Sequence, residues 1–229
     1  MKILCLDTSS KYLSLAVVIA GQVRRFRHKP ARKILSSTIM PSILEITKMS
    51  GLTLNDFDGF GVGSGPGSFT GLRIGLATIK GLATAQNKPV VAVSSLDVLA
   101  RQSGCSDGIV CVMCDARRQL LYTCSYDYHD GQCRSRSEYA LSSIQDILKR
   151  LKGDIHFTGD GITVCRPEVE SSKNIQSSFT RESAWHPHAR ILGELLWGRF
   201  KARQWEDVDN IVPLYLYPQD CQIRPKKKK

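Results

Sequence analysis

The stretch GFGVGSGPGSFTGLRIGLATIKGLATAQ, residues 59–86, holds eight of the chain's 18 glycines and then reads as a helix. Such a segment either cradles a ligand or lets backbones pack closely, and the two readings lead to different folds. The phosphate templates fail on it. The dinucleotide fingerprint G-x-G-x-x-G breaks at Pro66, Ser68 or Thr70, according to whether it starts at Gly61, Gly63 or Gly65. A P-loop needs lysine after its last glycine, whereas Lys80 precedes Gly81. The nucleophile elbow G-x-S-x-G fails because Val62 and Pro66 stand two places before Ser64 and Ser68. What remains is a strand, a tight turn at Gly63, Gly65, Pro66 and Gly67, and a helix from about 68 to 86 with Ser68 as its N-cap. A glycine turn before a helix N-terminus can still hold an anion.

Within the helix, Gly71, Gly75, Thr78, Gly81 and Ala85 are spaced to fall on one face. Glycine in a helix interior costs up to about 1 kcal/mol relative to alanine, so a closely packed neighbour is expected to offset it. That neighbour is either inside this chain or on another protein. On the second reading, a bulky residue at Gly75 blocks pairing and leaves the chain folded.

Outward from this segment, residues 2–7, 12–19 and 22–28 read as three strands of an antiparallel meander. A helix follows over about 31–49. Leu35, Ile39, Ile43 and Ile46 have helical spacing, Met40 and Leu44 widen the stripe, and Pro41 is expected to kink it. Beyond residue 86 come a strand with a short helix, two strands around ARRQ, a helix over 141–151, a strand closing on TGDG, and a helix over 188–203. Strands first, then strand–helix alternation, occurs in both halves. The pattern predicts α/β layers with mixed sheets. The division falls near 103/104, giving subdomains 1–103 and 104–217 and a basic, disordered tail at 218–229.

Composition narrows the functional classes. No apolar run reaches the roughly 20 residues of a membrane helix. The N-terminal apolar run is broken at once by Asp7, unlike a signal peptide, so a cytoplasmic protein is expected. The eight cysteines read as reduced, small buried hydrophobes; Cys111 and Cys114 form a CxxC with no second pair to complete a zinc site. Of the net +11, five charges lie in Arg224 and Lys226–Lys229, leaving +6 for the body. The tail reads as a solvated end or as an attractor of RNA.

LDTSS near the start, GSGPGSFTGLRIGLATIKGLA in the middle, VSSLDVLA, DARRQLLY and the closing PLYLY together resemble the TsaB (YeaZ) family of tRNA threonylcarbamoyladenosine biosynthesis. The resemblance runs to about Tyr217. It implies the actin/sugar kinase/Hsp70-like fold with two subdomains of mixed sheets, and a degenerate paralogue of the catalytic TsaD. It also implies pairing with a TsaD-like subunit, cooperation with a TsaE-like ATPase, and a homodimer when alone. Its expected interface is a helix pair carrying Leu35, Ile39, Met40, Ile43, Gly71, Arg73, Gly75, Thr78, Gly81 and Ala85. Asp7, Thr8 and Ser9, with Gly159, Asp160 and Gly161, fall where ATP-using relatives place phosphate loops. They form a candidate degenerate nucleotide site.

Catalytic relatives hold a metal through H-x-x-x-H; here the histidines stand at 28, 129, 156, 186 and 188, with no such pair. No metal ligands, catalytic residues or cofactor are therefore expected of this chain, while ATP and a metal are expected in partner subunits. Tyr217 replaces the family's usual closing arginine, and Leu35, Ser36 and Ser37 stand where HSE often does. From the residues alone, Asp7 either holds a metal-bound nucleotide or caps a turn. Arg73 and Lys80 reach a partner or water, and Arg117 and Arg118 touch a partner or RNA or are solvated. The competing functional reading is an ATP-hydrolysing or phosphoryl-transfer enzyme. A peptidase has no supporting Ser–His–Asp or H-E-x-x-H motif.

Overall fold

The computed structural model describes residues 1–31 and 35–217. The opening meander is present: β1 (Lys2–Asp7), β2 (Tyr12–Ile19) and β3 (Gln22–Pro30) pair antiparallel. On the other side of β1, β4 (Gly59–Gly63) and β5 (Val90–Val93) add in parallel. The crossovers are α1 (Leu35–Met49) and α2 (Phe69–Gln86). The first sheet therefore runs β3-β2-β1-β4-β5.

The second half repeats this plan. β6 (Gly108–Asp115), β7 (Leu120–His129) and β8 (Gln132–Ser135) make an antiparallel meander. β10 (Gly153–Thr158) and β11 (Ile175–Phe179) add in parallel beyond β6, and β9 (Ala140–Ser143) pairs with β7. The order is β11-β10-β6-β7-β8. Numbered one to five within each half, with β9 left out of the count, both sheets read 3-2-1-4-5, a duplication of the mixed sheet expected for an actin/sugar kinase/Hsp70-like fold.

Burial on both faces explains the near-continuous apolar strands. Leu4, Leu6, Leu13, Leu15 and Val17 face α1 and α2, meeting Ile39, Ile43, Ile46, Leu76, Ile79 and Leu82. Ile3, Cys5, Ala16 and Val18 face the other way, onto Leu192, Leu196 and Phe200 of α6 (Ala189–Lys201). α3 (Ser95–Gln102) does the reverse, setting Leu96, Leu99 and Ala100 on Val110, Val112 and Tyr126 of the second sheet. Each half thus gives its last helix to the other half's sheet. The 103/104 division separates the sheets in sequence, but α6, from the second half, packs on the first. The outer face of the second sheet is covered by α4 (Ile144–Arg150) and α5 (Ile162–Glu170).

The glycines of β4 belong to this exchange. A Cβ on Gly61 would lie 2.3 Å from Leu196 Cδ1, so only glycine lets α6 lie down on the strand. α1 runs from Leu35 to Met49 with Pro41 inside it, rather than ending or breaking there. Of its expected first residues, Ala31 is not helical, and 32–34, like the tail from 218, lie outside the described residues. Cys111 and Cys114 join opposite cores, as their spacing on a strand requires. Among the described residues, no helix is long and apolar enough to cross a membrane.

Candidate functional site

The C-terminal ends of β1, β4, β6 and β10 converge on a cleft of about 680 Å³ between the two sheets, the usual ligand position in α/β folds. Ser9, Ser68, Asp115, Arg117, Asp160 and His186 line it, and Leu214–Tyr217 crosses it. This crossing segment ties both sheets. Leu214 N–H donates to Ser64 O at 2.8 Å, and the Tyr217 hydroxyl donates to Ala116 O at 2.7 Å. Tyr217, where an arginine was expected, also meets Tyr122 edge-on at 6.0 Å.

Asp7 ends β1 and is 1% exposed. Burial raises its pKa, opposed by hydrogen bonds from Ser9 and Ser95. Oδ1 accepts from Ser9 N–H at 2.9 Å and from the Ser9 hydroxyl at 2.7 Å; Oδ2 accepts from the Ser95 hydroxyl at 2.8 Å. A Cβ on Gly63 would come within 1.9 Å of that same Oδ2. The carboxylate therefore ties β1, β4 and α3 together and goes beyond capping its own turn. Thr8 and Ser9 are engaged as well: the Thr8 hydroxyl donates to Gly71 O at 2.8 Å, and Ser9 O accepts from Ser68 N–H at 2.7 Å.

Across the cleft, Asp160 Oδ1 accepts from Asp115 N–H at 3.0 Å, and burial raises its pKa. Gly159 and Gly161 let their turn press on Met113 O, where Cβ atoms would stand 2.2 and 2.8 Å away. The duplication relates the turns of the two halves. The counterpart of the β1–β2 hairpin is the β6–β7 hairpin at Asp115–Gln119, whereas Gly159–Gly161 correspond to the turn after β4. Arg117, Arg118 and Gln119 are all left-handed, at φ 69°, 53° and 60°, a strained run for non-glycine residues.

Sequence reading missed an aromatic ladder beside the cleft. His188 stacks on His28 at 3.8 Å, His28 on Tyr12 at 4.3 Å, and Tyr12 tilts against His186 at 4.9 Å. His186 Nδ1 lies 3.7 Å from Asp160. No sequence signal brings together residues so far apart. Burial pulls His28 down to about 4, helped by the neighbouring His188 and His186; burial and Lys11 pull His186 down to about 4. The unfolded chain protonates these imidazoles near pH 6.5, well above the folded one. Their contribution to stability is full above that pH and is lost as pH falls toward 4, with about two protons taken up on unfolding. Urea midpoints at pH 7 and near pH 4.5 should show this loss, and His28→Gln should reduce it; equal midpoints for the native chain would contradict it.

The expected interface face divides. At 100° per residue, Gly71 through Ala85 span an arc of about 120°, wide enough to straddle the helix's waterline. Gly71 and Gly75 are buried against Thr8: Cβ atoms there would lie 2.2 Å from Thr8 O and 2.1 Å from Thr8 Oγ1. Ile39 and Ile43 are likewise core residues, and Leu35 and Met40 pack at its margin. These positions were expected at a partner surface, and the sheet beneath takes them instead. Arg73 lies over the Phe69 ring at 3.7 Å and donates from Nε to the Tyr215 hydroxyl at 3.1 Å, so it pins the chain's own crossing segment. Lys80 donates to Asp209 O. The outer strip that remains on α2 is Thr70, Ala77, Gly81, Thr84 and Ala85, with Thr78 at its border; on α1 it is Leu44, whereas Met49 is turned toward Arg27 of β3. Nothing lies within 4 Å of a Cβ built on Gly81.

Residues 29–220 match the family model of TsaD, described as tRNA N6-adenosine threonylcarbamoyltransferase. The Escherichia coli tRNA threonylcarbamoyladenosine biosynthesis protein TsaB is 34% identical over 167 residues, 72% of this chain and 71% of that protein. The chain belongs to the TsaB branch of the TsaD family. TsaB of Bacillus subtilis extends the likeness to 98% of this chain and 97% of its own length, at 29% identity over 227 residues. A solved Pseudomonas aeruginosa structure, an uncharacterized protein with similarity to peptidase YeaZ, superposes with a TM-score of 0.77 at 25% identity. It covers 94% of this chain and 99% of that one. The TsaB likeness thus takes in both sheets, the cleft and the outer helix pair.

Proposed function

We propose that this chain serves tRNA threonylcarbamoyladenosine biosynthesis in the cytoplasm as a non-catalytic partner of a TsaD-like transferase, alongside a TsaE-like ATPase. The observation that carries the reading is the state of Asp7: both carboxylate oxygens are engaged by the chain's own Ser9 and Ser95. Asp7 is also 1% exposed and is not among the residues that line the cleft, so it presents no oxygen there to a metal-bound nucleotide. The chain then needs no cofactor, and ATP and a metal act in the partner subunits. The TsaD-like partner docks on the outer strip of α1 and α2, where exposed Gly81 and Ala85 admit a close helix and Leu44 supplies apolar surface. A second copy uses the same strip when no partner is present.

The cleft, with Asp115 and Asp160 facing it, favours an ATP-hydrolysing enzyme as the second reading. Phosphate release from ATP and magnesium separates the two. The purified chain should show no turnover above background, and adding the TsaD-like protein should yield a co-purifying complex. Turnover by the chain alone that Asp7→Asn abolishes, with folding intact, would establish the enzyme instead.

A further inference from the structure

Between Thr8 and Leu54 the chain holds eight Lys or Arg residues against one carboxylate, Glu45, a net +7 of the molecule's +11. The fold gathers much of this charge on β3, an edge strand with the sequence QVRRFRHKP. Arg25, Arg27 and Lys29 pair with Val17, Leu15 and Leu13, so they stand on the face that α1 covers. Phe26 and His28 pair with Ala16 and Ser14 and stand on the opposite face. Arg24 is the extra residue where the register shifts between Val17 and Val18. Glu45 neutralises Arg27, whereas among the described residues Arg24 and Arg25 have no carboxylate partner. Phe26 is 51% exposed, and its ring lies 6.2 Å from His188, the outer end of the stacked imidazoles.

Charges on an edge strand guard it against pairing with other sheets. A half-exposed phenylalanine set among them works against that guard, so it calls for another account. Because β3 is an edge strand, a single nucleic-acid strand lying along that edge meets both of its faces: phosphates meet the charges on the α1 side and at the bulge, and an unpaired base stacks on the ring on the other side.

We infer that β3 is an RNA-contacting surface, in which Arg24, Arg25 and Lys29 take phosphates and Phe26, backed by His188, stacks an unpaired base. The choice of RNA as the polyanion rests on the tRNA reading given above. β3 adjoins α1, so an RNA held by a partner on the outer strip would run along it.

The test is fluorescence anisotropy of the full chain with a labelled RNA hairpin bearing an unpaired loop, and with a fully paired RNA duplex, between about 50 and 200 mM salt. The triple variant Arg24→Gln, Arg25→Gln, Lys29→Gln should bind the hairpin at least tenfold more weakly and lower the log–log salt slope by about 2. Phe26→Ala should weaken hairpin binding about tenfold at unchanged slope and leave the duplex unaffected. Replacing Lys226–Lys229 by glutamine should weaken both RNAs alike while the β3 effects persist. The inference is overturned if the triple variant binds as the native chain does, or if phosphatidylserine vesicles bind and RNA does not. Urea midpoints of the variants check folding. Pairing with a TsaD-like protein, measured on the same samples, separates the two readings. RNA binding without pairing contradicts only the proposed function, and pairing without β3-dependent RNA binding contradicts only this inference.

Discussion

Gly75→Leu should destabilise the fold by about 3 kcal/mol or more, a large part of the 5–15 kcal/mol that holds a typical domain together. The added side chain starts 2.1 Å from Thr8 Oγ1, whose hydroxyl is already committed to Gly71 O. Moving Thr8 breaks that bond and disturbs the turn in which Ser9 holds Asp7 and Ser68. Gly71→Leu should be at least as severe, because the atom it meets is the Thr8 carbonyl oxygen, part of the backbone. Gly81 is the internal control on the same helix. With open space around it, Gly81→Ala should stabilise by about 0.5–1 kcal/mol through helix propensity alone. Urea denaturation of the three variants reads the difference. A native midpoint for Gly75→Leu would mean that α2 does not rest on the Thr8 turn as described.

The second large effect concerns association. Gly81→Trp should fold normally yet weaken pairing with a TsaD-like protein at least a hundredfold in Kd. Small residues at an interface let helix backbones approach closely, and an indole at the centre of the strip holds them apart. Leu44→Asp, on the neighbouring helix, should act in the same direction by placing an unpaired charge in the apolar part of the contact. Calorimetric titration gives both constants, and thermal melts verify folding. Native affinity in both variants would remove the outer strip from the interface.

Much of the fold is legible in the sequence because its signals are local. The opening meander shows as three apolar runs separated by turn residues, and Ser68 does cap α2, accepting from Gly71 N–H. The weaker elements of the second half are not legible for the same reason. β8, QCRS, is exposed throughout and has no apolar alternation, and α5 contains Pro167. The repeated pattern of the two halves is legible, but their shared strand order is not, because spacing does not report which strands pair. At the site, the glycine spacing on α2 identifies a helix that something approaches closely, but it does not say what. The inner glycines meet Thr8 from 63 and more residues earlier in the chain, and only Gly81 and Ala85 look outward. Asp7 is visible as a strand-end carboxylate; its lock by Ser95, 88 residues on, is not.

Docking on the catalytic subunit is tested most directly by transfer of threonylcarbamoyl to tRNA in a reconstituted mixture of a TsaD-like protein, a TsaE-like ATPase and this chain. Modified tRNA should form only when the chain is present, and Gly81→Trp should reduce it in step with lost pairing. Full modification without the chain, or full activity from the non-pairing variant, would contradict the claim that it acts by docking on the catalytic subunit.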